Sequence, residues 1–282
     1  MVVTSSTRLP IIKVKASLSV ATYDALAIEE PLEIRLEHGP LSDRKTQTIS
    51  VTMRTPGSDG ELALGFLFTE GIIRRWADVD EIDYAFITCA ENKENVIVVK
   101  LESYAIPELQ NSERNFYTTS SCGVCGKGSI NAITTVSIFK QSDELTLVTA
   151  RTLHTLPDTL RLHQDVFTDT GGLHASALFD PDGTLRIVRE DVGRHNALDK
   201  LIGAGLKQNL LPLYHSVLML SGRASFELVQ KAAMAGISIV AAVGAPSTLA
   251  VQLAEQFNIT LIGFLRDERF NIYSAPQRVL HD

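Results

Sequence analysis

The stretch SVLMLSGRASFELVQKAAMAGISIVAAVGAPSTLAVQLAEQFNITLIGF, Ser216 to Phe264, decides the fold class. Short apolar runs bounded by glycine and polar residues alternate in it with longer amphipathic ones. They read as strand Ser216–Leu220, helix Phe226–Ala235, strand Ile237–Val243, helix Thr248–Phe257 and strand Thr260–Phe264. Repeated strand–helix–strand units predict an α/β domain, a mostly parallel sheet covered by helices. Gly236 suits a helix C-cap, and Ser247 suits an N-cap after Pro246. Just upstream, Leu173–Phe179 and Thr184–Arg189 flank the turn Asp180–Pro181–Asp182–Gly183 and predict a hairpin, followed by a helix over Arg194–Ile202.

That topology locates a site, because ligands of open α/β sheets gather beyond the carboxyl ends of the strands. Three loops meet the condition: Ser221–Gly222–Arg223–Ala224, Gly244–Ala245–Pro246–Ser247 and Leu265–Arg266–Asp267–Glu268–Arg269. The first two lead into helix N-termini, whose N–H groups favour an anion, and the third adds two arginines. Phosphate or pyrophosphate is the expected guest; the alternative is a solvated loop in which Arg266 and Arg269 face Asp267 and Glu268. Asp191, His195 and Asp199 recur at i,i+4 spacing, so carboxylates flanking His195 would raise its pKa and fix its ring. His195 and His174 read equally as structural hydrogen-bonders.

The first half is strand-rich. Ile11–Ser17 and Leu32–Leu36 are apolar runs, and Thr48–Arg54 alternates as a half-buried strand does. A helix is expected after a capping box of Ser58 and Glu61, closed by Gly71, and then a hairpin of Ile82–Cys89 with Asn95–Leu101. The division expected is a strand-rich domain over 1–150 and an α/β cofactor-binding domain over 151–282.

Toward the end of the first domain lies SSCGVCGKGS, Ser120 to Ser129, which holds two of the three cysteines, Cys122 and Cys125. Glycine and hydroxyl neighbours leave the thiols uncrowded, and Lys127 favours thiolate. Structural zinc needs four ligands, and only Cys89 and scattered histidines remain to complete the set. A thioredoxin-type dithiol has the same spacing, so spacing alone does not separate disulfide exchange from sulfur carriage. Cys89, in an apolar run, reads as a small buried residue. A net charge of −7 argues against nonspecific nucleic-acid binding, and no run reaches membrane-spanning length. With an odd, low cysteine count and no secretory pattern, a reducing cytoplasm is the expectation.

Four segments carry a resemblance: SSCGVCGKGS, then GGLHASALFDPDG running into REDVGRHNALDKLIG, then LSGRASFELVQKAA, then GFLRDERFNIY. They recur in order between Ser120 and Tyr273, and the sequence resembles the formate dehydrogenase accessory sulfurtransferase family. The resemblance implies a carrier that takes sulfane sulfur from a cysteine desulfurase as a persulfide. It would deliver that sulfur to a bis(molybdopterin guanine dinucleotide) molybdenum cofactor destined for formate dehydrogenase. Cys122 would carry the persulfide and Cys125 would assist or resolve the transfer. Phe264, Leu265, Arg266, Asp267, Glu268 and Arg269, with Ser221 and Arg223, would bind the cofactor, and GDP would be a partial mimic of it. Members commonly place glycine in that last loop where this chain has Asp267 next to Glu268. The family also implies a homodimer and a three-layer α/β/α second domain resembling the cytidine deaminase fold. Deaminase chemistry is not expected, because no Pro-Cys-x-x-Cys helix is partnered to His-x-Glu.

Overall fold

The computed structural model describes residues 4–84, 95–109, 139 and 145–281. The chain begins with two long strands, β1 (Ser6–Lys15) and β2 (Leu18–Ala27), paired antiparallel in an arm that joins no other sheet among the described residues. Its apolar side chains are largely solvent-facing; Ile12 is 71% and Leu18 72% exposed. Ser5 accepts a hydrogen bond from the Ile28 N–H, and from that pair the ladder alternates toward the tip. Pro10 therefore faces Tyr23 in a pair without ladder bonds, and the donor it lacks falls on the outer edge of β1.

Next come β3 (Glu30–His38), β4 (Lys45–Arg54), helix α1 (Asp59–Thr69), β5 (Val79–Tyr84) and β6 (Val96–Leu101). They form a sheet of order β4-β3-β6-β5, with β3 parallel to β6. Leu32, Ile34 and Leu36 alternate along β3 and are fully buried with the apolar face of α1. The expected capping box does not form. Ser58 takes a left-handed conformation with no side-chain cap, and Glu61 turns to Arg189, with Oε1 2.7 Å from Nη2. Asp59, next to Ser58, is taken by buried Arg54 through two hydrogen bonds of 3.1 and 2.9 Å. Gly71 does close the helix, at φ 75°, with its N–H on the Phe68 carbonyl.

The remainder comprises β7 (Val148–Thr149), α2 (Ala150–Leu162), α3 (Asp165–Thr170), β8 (His174–Phe179), β9 (Leu185–Asp191), α4 (Arg194–Lys207) and β10 (Val217–Leu220), then α5 (Phe226–Met234), β11 (Ile239–Ala242), α6 (Thr248–Gln256), β12 (Thr260–Arg266), β13 (Arg269–Ser274) and β14 (Val279–Leu280). The six-stranded sheet has the order β13-β12-β11-β10-β8-β9. Its centre, β10-β11-β12, is parallel, as the alternation predicts, and antiparallel hairpins flank it on both sides. Alternate residues of each strand face opposite layers. Leu218, Leu220, Val240 and Leu261 pack in the core shared with α4, α5 and α6, whereas Val217, Met219, Ile239 and Ile262 pack with Leu153, Leu156 and Leu160 of α2. The result is the three-layer α/β/α arrangement that the resemblance implies.

Helices α1 and α4 cross at backbone contact. A Cβ on Gly65 would overlap the Asp199 carbonyl, and one on Gly203 would overlap the Glu61 carbonyl. Buried ion pairs flank the crossing: Lys231 Nζ lies 2.9 Å from both oxygens of Asp199 and from Thr69 Oγ1, and Lys200 Nζ lies 2.7 Å from Asp191. Gly65→Ala or Gly203→Ala should cost about 3 kcal/mol of unfolding free energy through overpacking. Gly60→Ala, whose Cβ would meet Ile82 at an ordinary 3.5 Å, should be neutral or stabilising by up to about 1 kcal/mol. Denaturant unfolding compares the three, and equal effects would contradict the close-contact account.

Candidate functional site

The three loops predicted from the strand ends do converge. Gly244 N–H donates to Gly222 O (2.9 Å), Ala224 N–H to Ala245 O (3.2 Å) and Ser247 N–H to Ala224 O (3.1 Å), so the loops after β10 and β11 are joined by their backbones. The third is tied on by Phe264 N–H to Gly244 O at 3.1 Å. Two glycines permit the approach. A Cβ on Gly244 would lie 3.0 Å from the Arg223 backbone nitrogen, and one on Gly263 would lie 2.8 Å from the Pro246 ring.

The last of these loops is a bulge followed by a tight hairpin. Between the pairs Gly263↔Asn271 and Arg266↔Arg269, β12 carries Phe264 and Leu265 where β13 carries Phe270 alone, and Phe264 sits at φ 55°. Asp267 and Glu268 form the turn with φ 51° and 54°, the geometry of a type I′ hairpin, in which glycine or asparagine is the usual second residue. Leu265 is fully buried, while Arg266, Asp267, Glu268 and Arg269 are exposed. The turn sets the two arginines opposite each other. Among the described residues neither Arg266, Arg269 nor Arg223 makes an ion pair or a side-chain hydrogen bond, so Asp267 and Glu268 do not neutralise them. Like charges held across a ladder repel, and an anion bound between them would remove that repulsion.

Ser221 lies at the inner end of the cluster. Its backbone N–H donates to Ala175 O (3.0 Å) and its hydroxyl accepts from Ala175 N–H (2.8 Å), which ties it to β8. His174 lies beside it, against Gly222: a Cβ on Gly222 would come 3.3 Å from Nδ1. Burial, and then the charges of Arg194, His195 and Arg223, hold the His174 pKa below that of a free histidine. An open cavity of about 490 Å³ starts at Ser221 and His174 and runs under α2 and α3.

Residues 27–280 match the FdhD/NarQ family model. The chain belongs to the FdhD/NarQ family. It is 53% identical over 268 residues to a protein of Mycolicibacterium paratuberculosis named sulfur carrier protein FdhD, covering 94% of this chain and 95% of that one. Proteins of the same name from Streptomyces coelicolor and Sulfolobus acidocaldarius are 49% and 40% identical over 96% of this chain, covering 95% and 98% of their own. The fold is similar to the crystal structure of a proposed formate dehydrogenase accessory protein from Desulfotalea psychrophila, with TM-score 0.75 at 24% identity, covering 98% of this chain and 100% of that one.

Other expectations about FdhD/NarQ site residues in this chain meet different outcomes. Cys122, Cys125, Lys127 and Cys89 lie outside the described residues. The predicted Asp191–His195–Asp199 grouping is not a unit, because Asp191 ends β9 before α4 begins and holds the Thr55 and Gly193 N–H groups with Lys200. Asp199 belongs to Lys231, and His195 pairs instead with Glu227, Nε2 to Oε2 at 2.9 Å. Helix α2 was not apparent in the sequence, since Pro157 in its interior reads as a breaker. Its signal is the spacing Leu153–Leu156–Leu160 behind Thr149, whose hydroxyl accepts the Thr152 N–H at 3.0 Å.

The His174 shift gives a signed pH effect. The folded pKa lies below the ordinary histidine value of 6.5, so its contribution to stability is present above 6.5 and is lost as pH falls through the folded value. Wild type should therefore lose more stability on acidification from pH 7.5 to 5.5 than His174→Gln. Denaturant unfolding at both pH values checks this; parallel losses would contradict it.

Proposed function

We propose that this chain carries sulfur, as the name of its relatives states of them, that this is sulfane sulfur for formate dehydrogenase maturation, and that the chain binds the acceptor cofactor at the loop cluster. The observation that carries the reading is the exposed, un-neutralised pair Arg266 and Arg269, set across a two-residue turn beside Arg223. A pyrophosphate-bearing molecule fits those cations, and each charge-assisted hydrogen bond contributes roughly 1.5–3 kcal/mol. The acceptor in this reading is the bis(molybdopterin guanine dinucleotide) molybdenum cofactor, bound as substrate. Phe264–Arg269 forms one wall of its site, with Ser221 and Arg223 alongside.

Loading begins with the Cys122 thiolate, favoured by Lys127, attacking the outer sulfur of the persulfide on a cysteine desulfurase. The donor S–S bond breaks, the donor cysteine leaves as thiolate, and Cys122 holds the new S–S bond. For delivery, Cys125 thiolate attacks the inner sulfur of that persulfide. A Cys122–Cys125 disulfide forms, the outer sulfur leaves as hydrosulfide for the acceptor, and a cellular dithiol restores both thiols. The same reading places the chain in the cytoplasm as a homodimer that binds no nucleic acid. Among the described residues no helix is long and apolar enough to cross a membrane.

Two outcomes test this. After incubation with a desulfurase and cysteine, wild type should gain one sulfur mass by mass spectrometry and Cys122→Ala none, while Cys125→Ala loads but delivers poorly. An equal gain on Cys122→Ala would remove that residue from its role. GDP should bind more tightly than ADP and raise thermal stability. Replacing both Arg266 and Arg269 by alanine should weaken GDP about 100-fold or more by calorimetry, and an unchanged affinity would move the site elsewhere.

A further inference from the structure

Of the two histidines at the loop cluster, the fold uses one. His195 Nε2 lies 2.9 Å from Glu227 Oε2, and the Ser225 hydroxyl donates to the same carboxylate oxygen at 3.2 Å, so that ring is held in place. His174, read from the sequence equally as a structural hydrogen-bonder, makes no hydrogen bond or ion pair among the described residues, and neither of its ring nitrogens is closed to solvent. The ring lines the open cavity next to Ser221. Its Nδ1 faces Gly222, where a Cβ would come 3.3 Å from Nδ1 and 3.5 Å from Cε1. Gly222 has no positive φ that would call for glycine, so what its missing side chain provides is space beside the ring.

The surroundings give that space a use. Ser221 Oγ accepts the Ala175 N–H at 2.8 Å, which leaves the hydroxyl proton to be donated. Burial, then Arg194, His195 and Arg223, disfavour a cationic His174 and keep its imidazole a base. A hydroxyl donor, a free basic nitrogen and two cations suit a small anion that arrives with a proton and must lose it. Hydrosulfide, the species handed over in the proposed reaction, is such an anion. We infer that His174 is the proton acceptor of sulfur delivery and that Ser221 holds the hydrosulfide beside it. A lone pair of the sulfur forms the bond to the acceptor. The S–H bond breaks and leaves its electrons on sulfur, while the proton passes to a ring nitrogen of His174 and then to solvent through the open cavity; no oxidant or reductant takes part. The inference rests on the sulfur-carrier reading.

Formate dehydrogenase activation in cells that lack their own carrier reads delivery, and the sulfur mass gained by Cys122 reads loading. His174→Gln and His174→Ala should load as wild type does and activate about 100-fold less. Added imidazole should restore activation in lysates of His174→Ala cells and not in those of His174→Gln, whose side chain fills the space. A ring that served only the fold would not be replaced in this way, and imidazole does not restore a chain that has failed to fold. Diethyl pyrocarbonate should modify His174 ahead of His195, and Gly222→Ala, which crowds Nδ1, should slow that modification and lower activation severalfold. Full activation by both His174 variants, or a loss in His174→Ala that imidazole leaves unchanged, would overturn the inference and keep the carrier. Absence of loading on wild type would overturn the carrier reading and the inference with it.

Discussion

Everything else in the molecule is arranged around the crossing of α1 and α4, where Gly65 and Gly203 let two helix backbones touch. Close approach brings the polar spine of one helix against the other, and the flanking charges follow from it. Asp199, fully buried and pushed toward a higher pKa by that burial, accepts hydrogen bonds from Lys231 and Thr69. Lys200 reaches Asp191 and the Thr55 carbonyl in the same way, and Arg189 reaches Glu61. Breaking one partner of such a pair leaves an uncompensated charge in the interior, so these contacts fix geometry even where their net contribution to stability is small. One apolar core accordingly runs from Leu32 and Ile34 through Leu64 and Leu201 to Leu218 and Leu261.

The central sheet was legible because its strands are short, predominantly apolar and punctuated. Gly236 at φ 77° and Ser247, whose hydroxyl accepts the Ala250 N–H at 3.2 Å, sit at the caps their types suggest. The loops that carry the candidate site were placed by the same logic, since topology alone sets which strand ends adjoin. What stayed hidden depends on distant partners. Ser58 and Glu61 have the spacing of a capping box, but Arg189, 128 residues away, competes for the glutamate. Asp191 and His195 have helical spacing, but Asp191 lies in a strand and Glu227 takes the histidine. Helix α2 was concealed by Pro157, and with it the wall of the cavity that holds Arg161. Strand β2 was missed because its apolar residues follow no buried face: Val20 and Tyr23 are 61% and 69% exposed.

Backbone strain gathers where ligand contact is proposed. Phe264, Asp267 and Glu268 all have positive φ within five residues, each at a cost of roughly 1–2 kcal/mol for a residue with a Cβ. Glycine would relieve the strain at each of the three, yet the turn is built from residues with side chains. Its display is the outward pair of guanidiniums, and the bulge at Phe264 turns that pair relative to the rest of the sheet.

Pro10 has a different consequence, for how copies of the chain meet in a crowded cell. A two-stranded arm has two free edges, and an apolar arm with both edges open could add strands without end, as fibres do. Here, among the described residues, the outer edge of β1 lacks a donor at its middle, which favours strand addition on the β2 side. Pairing of two arms along that side would consume the open edge of each and leave only proline-blunted edges outward. Growth of that kind stops at two.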